Sequence, residues 1–155
     1  MRRRGRVLPV AAAISALLMT AVYGASLEDG KAVFERREDT MKHMGRPLYL
    51  GIGRVVKGTA ACGPDTVTAA ETVASLASTL NRTLFLPGSD VAESKIKPAI
   101  FGAGDHVDQL IAGVQTATAQ LVPAVKSGDK AAIAVAYAAA ANACNACHTE
   151  FRKEE

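Results

Sequence analysis

The chain has 155 residues and a mass of 16.1 kDa, which suffices for one domain of ordinary size and not for two. Hydrophobic residues make up 49% of it, which predicts a packed core rather than disorder. Aromatic residues are only 5%, and alanine and glycine supply much of the apolar count, which favours closely packed helices over a β-sandwich. Three cysteines are too few for a disulfide framework. These numbers exclude large enzymes, repeat arrays and proteins that span a membrane many times.

The N-terminal segment has the pattern of a secretory signal peptide. Four arginines within the first six residues form a basic start, an apolar run follows over 7–22, and small residues precede the first acid, Glu28. An uncleaved membrane anchor is the alternative, but the run is slightly short for the ~20 residues of a comfortable span. We therefore predict a signal peptide over residues 1–25 and an exported, periplasmic domain over residues 26–155.

Removal of this segment changes the charge balance. The whole chain has 18 basic and 15 acidic residues, a net charge of +3, and four of the basic residues are the N-terminal arginines. The predicted mature domain therefore has 14 basic and 15 acidic residues, a net charge of −1. A nucleic-acid-binding domain needs a basic face, so we expect no nucleic-acid partner.

Four stretches of the mature chain have apolar residues every three or four positions, which predicts amphipathic helices over 27–57, 65–80, 105–126 and 130–152. Gly45 and Pro47 interrupt the first stretch, so we expect a kink near Met44. Asp65 is predicted to cap the second helix and Asp129 the fourth.

The connection between the second and third predicted helices, 81–104, is long enough to wrap something or to carry function. The other two connections are short. Short links favour antiparallel neighbours, so we predict an all-α, antiparallel four-helix bundle with up-down-up-down topology.

The sequence Cys144-Asn145-Ala146-Cys147-His148 has the C-x-x-C-H spacing of a c-type haem attachment motif. Each thiol of such a motif adds across one porphyrin vinyl group, and the adjacent histidine is an axial ligand of the iron. We predict that Cys144 and Cys147 bind one haem c covalently, near the C-terminal helix, with His148 as axial ligand.

Two rival interpretations of the motif are weaker. A redox-active dithiol normally lies near a strand-to-helix junction, and the sequence predicts no strand here. A structural zinc site needs a fourth ligand and a second paired cluster, which neither His43 nor His106 supplies. We expect both of these histidines to be solvated, and Cys62 to be a free thiol, with an intermolecular disulfide as its alternative.

The motif lies on the apolar face of the last predicted helix. Steps of three or four positions connect the residues of that face, which are Ile133, Tyr137, Ala140, Cys144, Cys147, His148 and Phe151. No methionine follows His148, so any second protein ligand of the iron must come from upstream, and the first helix is the natural donor.

These features resemble the class II c-type cytochromes, the cytochrome c′ family, which are four-helix bundles with a C-terminal C-x-x-C-H. The resemblance covers nearly all of the mature chain. Its matching stretches are CNACHTEFR at 144–152, REDTMKHMGR at 37–46, VVKG at 55–58, and FLPGS with KPAIF in the loop at 85–101.

The resemblance implies roles for further residues. It places Met41 at the distal position that faces the iron, and Arg37, one turn earlier, at the haem propionates. Glu38 is implied at the same edge of the pocket. Arg152 follows His148 by four residues, and the resemblance implies that its charge lies near the axial imidazole and helps set the reduction potential.

The sixth position of the iron separates two groups of the family. High-spin members leave it empty beneath a bulky apolar side chain, whereas low-spin members fill it with a methionine sulfur. The string MKHMGR is closer to the low-spin members and favours ligation by Met41, which suits electron transfer. Packing of Met41 and Met44 in the core is the alternative, and His43 is a weaker alternative ligand.

The main functional hypothesis is a periplasmic electron carrier with a single haem, which docks on periplasmic redox proteins and performs no substrate chemistry. The alternative is a high-spin cytochrome c′ whose open or displaceable sixth site binds nitric oxide or carbon monoxide. A peroxidase is the weakest hypothesis, because the sequence shows no well-placed distal histidine or acid–base pair. The resemblance also implies that a homodimer can form through the first two helices.

Overall fold

A computed structural model describes residues 13–154, and their side chains from residue 30 onwards. The predicted signal peptide, 1–25, falls mainly outside this part: residues 1–12 are not described, and residues 13–25 are described only as backbone of the first helix. Among the described residues, no helix combines the length and the apolarity that a membrane crossing requires. The signal peptide and its cleavage therefore stay predictions.

Four long helices form an antiparallel bundle, as the sequence predicted. The first continues through a π-helical segment, Pro47–Ile52, into a short helix, and α1 packs against α3, α3 against α4, and α4 against α5. The helices are α1 (Ala13–Arg46), α2 (Gly53–Val56), α3 (Pro64–Ser78), α4 (Gly104–Ser127) and α5 (Lys130–Phe151).

A π-helical segment begins at Pro47, close to Met44, where the sequence predicted a kink; the kink itself stays a prediction. Proline has no backbone N–H and its ring excludes the carbonyl one turn earlier, so the α-helical hydrogen bonding cannot continue unchanged at Pro47. The chain instead forms the wider turn of a π-helix, which starts with this proline. The turn keeps Leu48 and Ile52 buried in the core and sets Tyr49 against the space between α1 and α5.

Helix caps define where the later helices start and stop. The predicted cap of α3 at Asp65 is wrong: α3 begins with Pro64 at its first position, and Gly63 is the capping residue. Proline suits the first turn because the N–H that it lacks would have had no partner within the helix. The prediction for α5 is confirmed, since the Asp129 carboxylate accepts hydrogen bonds from the backbone N–H groups of Ala131 and Ala132.

The bundle core consists of two clusters of buried side chains, and Cys144 of α5 packs against both of them. One cluster lies beside the long loop and includes Met44, Leu80, Ile111, Val114 and Phe151. The other includes residues near the connection between α4 and α5, and its members include Leu48, Ile52, Val73, Leu121 and Ile133. Members of both clusters line the same inner cavity, so the core is divided at the level of the C-x-x-C-H motif.

The long loop between α3 and α4 contains two short 3₁₀ helices, Arg82–Leu84 and Pro98–Gly102. Its middle pairs with the end of α5 in an antiparallel bridge between Ile96 and Arg152. The loop therefore lies at the C-terminal end of α5, close to the motif that the sequence singled out.

Candidate haem site

The walls of α1 and α5 face each other across an inner cavity of about 60 Å³ and an open cleft of about 520 Å³. The cleft has the size of a cofactor site, for which ~300–1,000 Å³ is usual. Six residues line both spaces, namely Met41, Gly45, Tyr49, Phe85, Cys147 and His148. The motif thus lies where the two spaces meet.

The α5 wall presents the three residues of the motif on one face. Cys144, Cys147 and His148 are half-buried and all line the inner cavity, as the helical spacing predicted. Burial raises the pKa of both thiols, and the negative charge of Glu150 raises that of Cys147 further. A dithiol oxidoreductase needs an attacking thiol with a lowered pKa, so the electrostatics of this pair disfavour that rival.

His148 has the protonation state that a metal ligand requires. Burial lowers its pKa, and the positive charge of Arg152 lowers it further. The imidazole is therefore neutral at pH 7 and keeps a nitrogen lone pair free to bind a metal ion. Among residues 30–154, no group of three or more His, Cys, Asp and Glu side chains is arranged to hold a metal ion, so the zinc interpretation gains no support.

The α1 wall separates the roles of the two methionines. Both methionines line the inner cavity. Met44 is buried in the core cluster beside the long loop, whereas Met41 is half-buried and also lines the open cleft. Core packing therefore accounts for Met44, and Met41 is available to face a bound cofactor. Ligation of iron by Met41 stays a prediction.

Two aromatic residues of the pocket were not singled out from the sequence. Tyr49 and Phe85 line both spaces, from the π-helical segment and from the long loop. The Tyr49 ring packs edge-on against the ring of Tyr137, with centroids 6.4 Å apart. Burial raises the pKa of Tyr49, and the nearby Cys144 thiol contributes, so the phenol stays protonated at neutral pH.

The three charged residues predicted at the haem edge all line the open cleft: Arg37 and Glu38 from α1, and Arg152 just after α5. Glu38 also pairs with Lys42 on its own helix, with 3.1 Å between Nζ and Oε2. The structure thus brings these residues together around one opening. Their contacts with propionates stay predictions.

Arg37 has a structural role that the resemblance did not imply. Its two terminal nitrogens donate four hydrogen bonds of 2.7–2.9 Å to the long loop, to the carbonyl oxygens of Leu84 and Ser89 and the hydroxyl oxygens of Ser89 and Ser94. These bonds use all four terminal N–H groups of the guanidinium and leave the Nε–H as its remaining donor. A propionate can therefore receive at most one hydrogen bond from Arg37.

The sequence expected His43 and His106 to be solvated, and both side chains are exposed. His43 is exposed, with Nδ1 2.8 Å from the backbone oxygen of Asp39, and it lines neither space, which removes it as an iron ligand. Cys62 is not bridged to another cysteine of the described residues, and its sulfur lies 3.7 Å from the Val125 carbonyl oxygen; the free thiol and the intermolecular disulfide both stay predictions. The exposed His106 also has a polar neighbour, since its Nε2 lies 2.8 Å from a Glu150 carboxylate oxygen.

The pocket fits a c-type haem by the chemistry of its lining. Apolar side chains make up most of the inner cavity, which suits a flat apolar macrocycle, and protonated thiols and a neutral imidazole lie on one wall. Charged side chains lie only toward the open cleft, where propionates would reach solvent. Cys144 and Cys147 would hold the porphyrin, and His148 would hold the iron.

The charge of Arg152 gives a prediction about pH. An iron-bound imidazole is lost when protons outcompete the metal, and a lowered His148 pKa moves that loss to lower pH. Arg152→Gln removes the positive charge and leaves the His148 pKa higher than in the native chain, so acid loss of the ligand is expected at higher pH. An acid titration followed by the Soret band measures this midpoint. Arg54→Gln, at an exposed site away from the pocket, is the control and should leave the midpoint unchanged. An Arg152→Gln midpoint equal to that of the native protein would contradict the effect of the Arg152 charge on the His148 pKa.

Comparison with known proteins gives one family. Residues 32–152 match the family described as Cytochrome C'. A cytochrome c' of Rhodospirillum rubrum is 29% identical over 145 residues, which cover 94% of this chain and 97% of that protein.

Solved structures agree in fold. Cytochrome c' from Thermochromatium tepidum superposes with a TM-score of 0.74 at 26% identity, covering 81% of this chain and 97% of that one. A ferrous variant of cytochrome c prime from Alcaligenes xylosoxidans with bound NO superposes with a TM-score of 0.71 at 21% identity, with the same coverage. The family match extends from the first helix through the C-x-x-C-H motif, and the chain therefore belongs to the cytochrome c′ family.

Proposed function

We propose that the chain is a periplasmic cytochrome c′ whose sixth iron position is open or displaceable, so that the ferrous protein takes up nitric oxide or carbon monoxide and also exchanges single electrons with periplasmic redox proteins. As a member of the family, the chain carries one covalent haem c. The family match supports this function better than the electron carrier with a permanent Met41 ligand that the sequence favoured. The bound NO in the Alcaligenes relative is further support.

The observation that carries the proposal is the apolar inner cavity between Met41 and the motif. Apolar side chains of α1, α3 and α4 surround it, and its Thr118 hydroxyl already donates to the Val114 carbonyl of its own helix. A pocket with such walls favours neutral diatomic ligands over water and anions, because it offers few hydrogen-bond partners.

Some residues of the pocket would hold the haem, and another would shield its iron. When bound, haem c supplies an iron that accepts or donates one electron and, when ferrous, binds a diatomic gas. Cys144 and Cys147 would hold the porphyrin on α5, and His148 would bind the iron from the same wall. Met41 shields the opposite side with a flexible apolar side chain.

Electron exchange requires that part of the site be reachable from outside. The cleft is open at the edge where Arg37, Glu38 and Arg152 lie, which gives a redox partner access to this side of the pocket. The proposed role includes no substrate turnover, in keeping with the position of His43 on the exposed face of α1. Export through residues 1–25 and pairing into a homodimer are parts of the same proposal.

The test is the absorption spectrum of the purified, dithionite-reduced protein before and after addition of carbon monoxide. We expect a high-spin ferrous spectrum whose Soret band sharpens and shifts on exposure to the gas. A low-spin six-coordinate spectrum that carbon monoxide does not change would contradict the open or displaceable sixth position, and would instead favour permanent ligation by Met41.

A further inference from the structure

The long loop is attached to the distal wall of the pocket by a buried arginine. Arg37 is 7% exposed and lies on α1 one turn before Met41. Its guanidinium donates to Leu84, Ser89 and Ser94, so every terminal N–H of the side chain is used to hold the loop. Both serines are almost fully buried, which excludes water as a competing partner.

The loop also lies in direct contact with the backbone of α1. A Cβ atom built at Gly30 would come within 2.2 Å of the Gly88 carbonyl oxygen, so only glycine allows this approach. The guanidinium of Arg37 lies 5.8 Å from the centroid of the Phe34 ring, which packs under it. Two turns of α1 thus fix the loop on the side of the pocket that carries Met41.

The same loop is attached to the proximal wall just beyond His148. The Lys97 N–H donates to the Phe151 carbonyl and the Lys153 N–H to the Lys95 carbonyl, each at 2.7 Å. These two bonds form the bridge between Ile96 and Arg152.

Ser94 connects the two attachments. Its hydroxyl oxygen accepts from Arg37 of α1 at 2.9 Å, and its carbonyl oxygen accepts from the Lys153 ammonium, after α5, at 3.1 Å. A single loop residue is therefore hydrogen-bonded to both walls of the cofactor pocket. We call residues 84–97, with Arg37 at one end and the Ile96–Arg152 bridge at the other, the brace.

We propose that the brace holds α1 and α5 at a separation that keeps the Met41 sulfur from binding the iron, and that Arg37 is the positioning residue at its distal end. The walls it separates are largely apolar, so burial of their surface favours bringing them together. If the brace is released, α1 settles toward α5, and the flexible Met41 side chain reaches the iron. This inference rests on the proposed function, since it explains how the sixth position stays open.

The experiment compares holoprotein variants at both ends of the brace. Arg37→Met removes the four donors, and Arg37→Lys restores a single charged donor. Lys153→Pro removes the backbone N–H at the other end; Arg152 already has φ −99° and ψ 135°, which a following proline accepts. Lys153→Ala keeps that N–H and is the matched control. If Arg37→Met does not fold, Ser94→Ala replaces it in the comparison, because this variant removes one acceptor of the Arg37 hydrogen bonds.

We expect Arg37→Met and Lys153→Pro to gain low-spin ferric absorption and to bind carbon monoxide about fivefold more weakly or worse, since Met41 then competes with the gas. Arg37→Lys should recover part of the native affinity. Lys153→Ala loses the ammonium bond to the Ser94 carbonyl but keeps the backbone N–H, so it should retain more of the native affinity than Lys153→Pro does. Adding Met41→Leu to Arg37→Met should abolish the low-spin absorption, an effect that a general loss of stability would not produce.

The outcomes separate this inference from the proposed function. If the native protein binds carbon monoxide and both end variants keep its affinity and spectrum, the brace does not control the sixth position, and the proposed function is unaffected. If low-spin absorption persists in Arg37→Met with Met41→Leu, the competing ligand is not Met41 and the inference fails. A native protein that is already low-spin and indifferent to carbon monoxide contradicts both.

Discussion

Replacing both Cys144 and Cys147 by alanine is expected to abolish covalent haem attachment completely, because each thioether requires one of these thiols. Both sulfurs line the inner cavity from one face of α5, where they can meet the two vinyl edges of a single porphyrin. Haem staining of the denatured chain and extraction with acidified acetone measure the attachment. Each single variant should keep haem through its one remaining thioether.

The third cysteine is the matched control for this experiment. Cys62 lies outside the pocket, where its sulfur donates weakly to the Val125 carbonyl, so Cys62→Ala should retain the full haem content. Haem that resists acid extraction in the double variant would show that the attachment site lies elsewhere in the chain.

The second large effect is expected at Met41. Met41→Ala removes the flexible side chain that covers the distal side of the pocket. The affinity of the ferrous protein for carbon monoxide should then rise about tenfold or more, which is the usual effect of relieving one steric clash in an apolar pocket. A carbon monoxide titration followed by the Soret band gives the affinity.

The volume-conserving variant Met41→Leu separates shielding from ligation. If Met41 only shields the iron, leucine keeps the cover and the affinity stays close to native. If the sulfur ligates the iron, leucine removes the ligand as completely as alanine does, and both variants gain affinity together. The second pattern would contradict an open sixth position and would leave only a Met41 ligand that the gas displaces.

Features that depend on short sequence distances were predictable. The helices and the haem-facing stripe of α5 follow from a period of three to four residues, and the C-x-x-C-H spacing is itself a local chemical requirement. Asp129 was a correct cap for the same reason, because it bonds N–H groups only two and three residues away.

Features that depend on distant partners were not predictable. The hydrogen bond of Arg37 to Ser94 joins residues 57 positions apart, and the hydrogen-bond contact of His106 with Glu150 joins residues 44 positions apart. The sequence shows Arg37 and His106 on helical segments, and nothing in the local pattern gives their partners. The resemblance therefore assigned Arg37 to the propionates, whereas the loop takes most of its donors.

The π-helical segment shows how one local signal can have two outcomes. Proline in a helix predicts a disturbance but not its form, which here is a π-helical segment. That segment sets Tyr49 against the pocket, so the sequence could not identify this lining residue. Phe85 was missed for a related reason, since a loop has no period from which the direction of a side chain can be inferred.

The most direct test of the account is the intact mass of the purified native chain after denaturation, combined with alkylation of its thiols. We expect a mass increased by one haem and a single alkylated cysteine, Cys62. A chain of unmodified mass, with Cys144 and Cys147 both open to alkylation, would contradict the covalent haem site on which every functional statement depends.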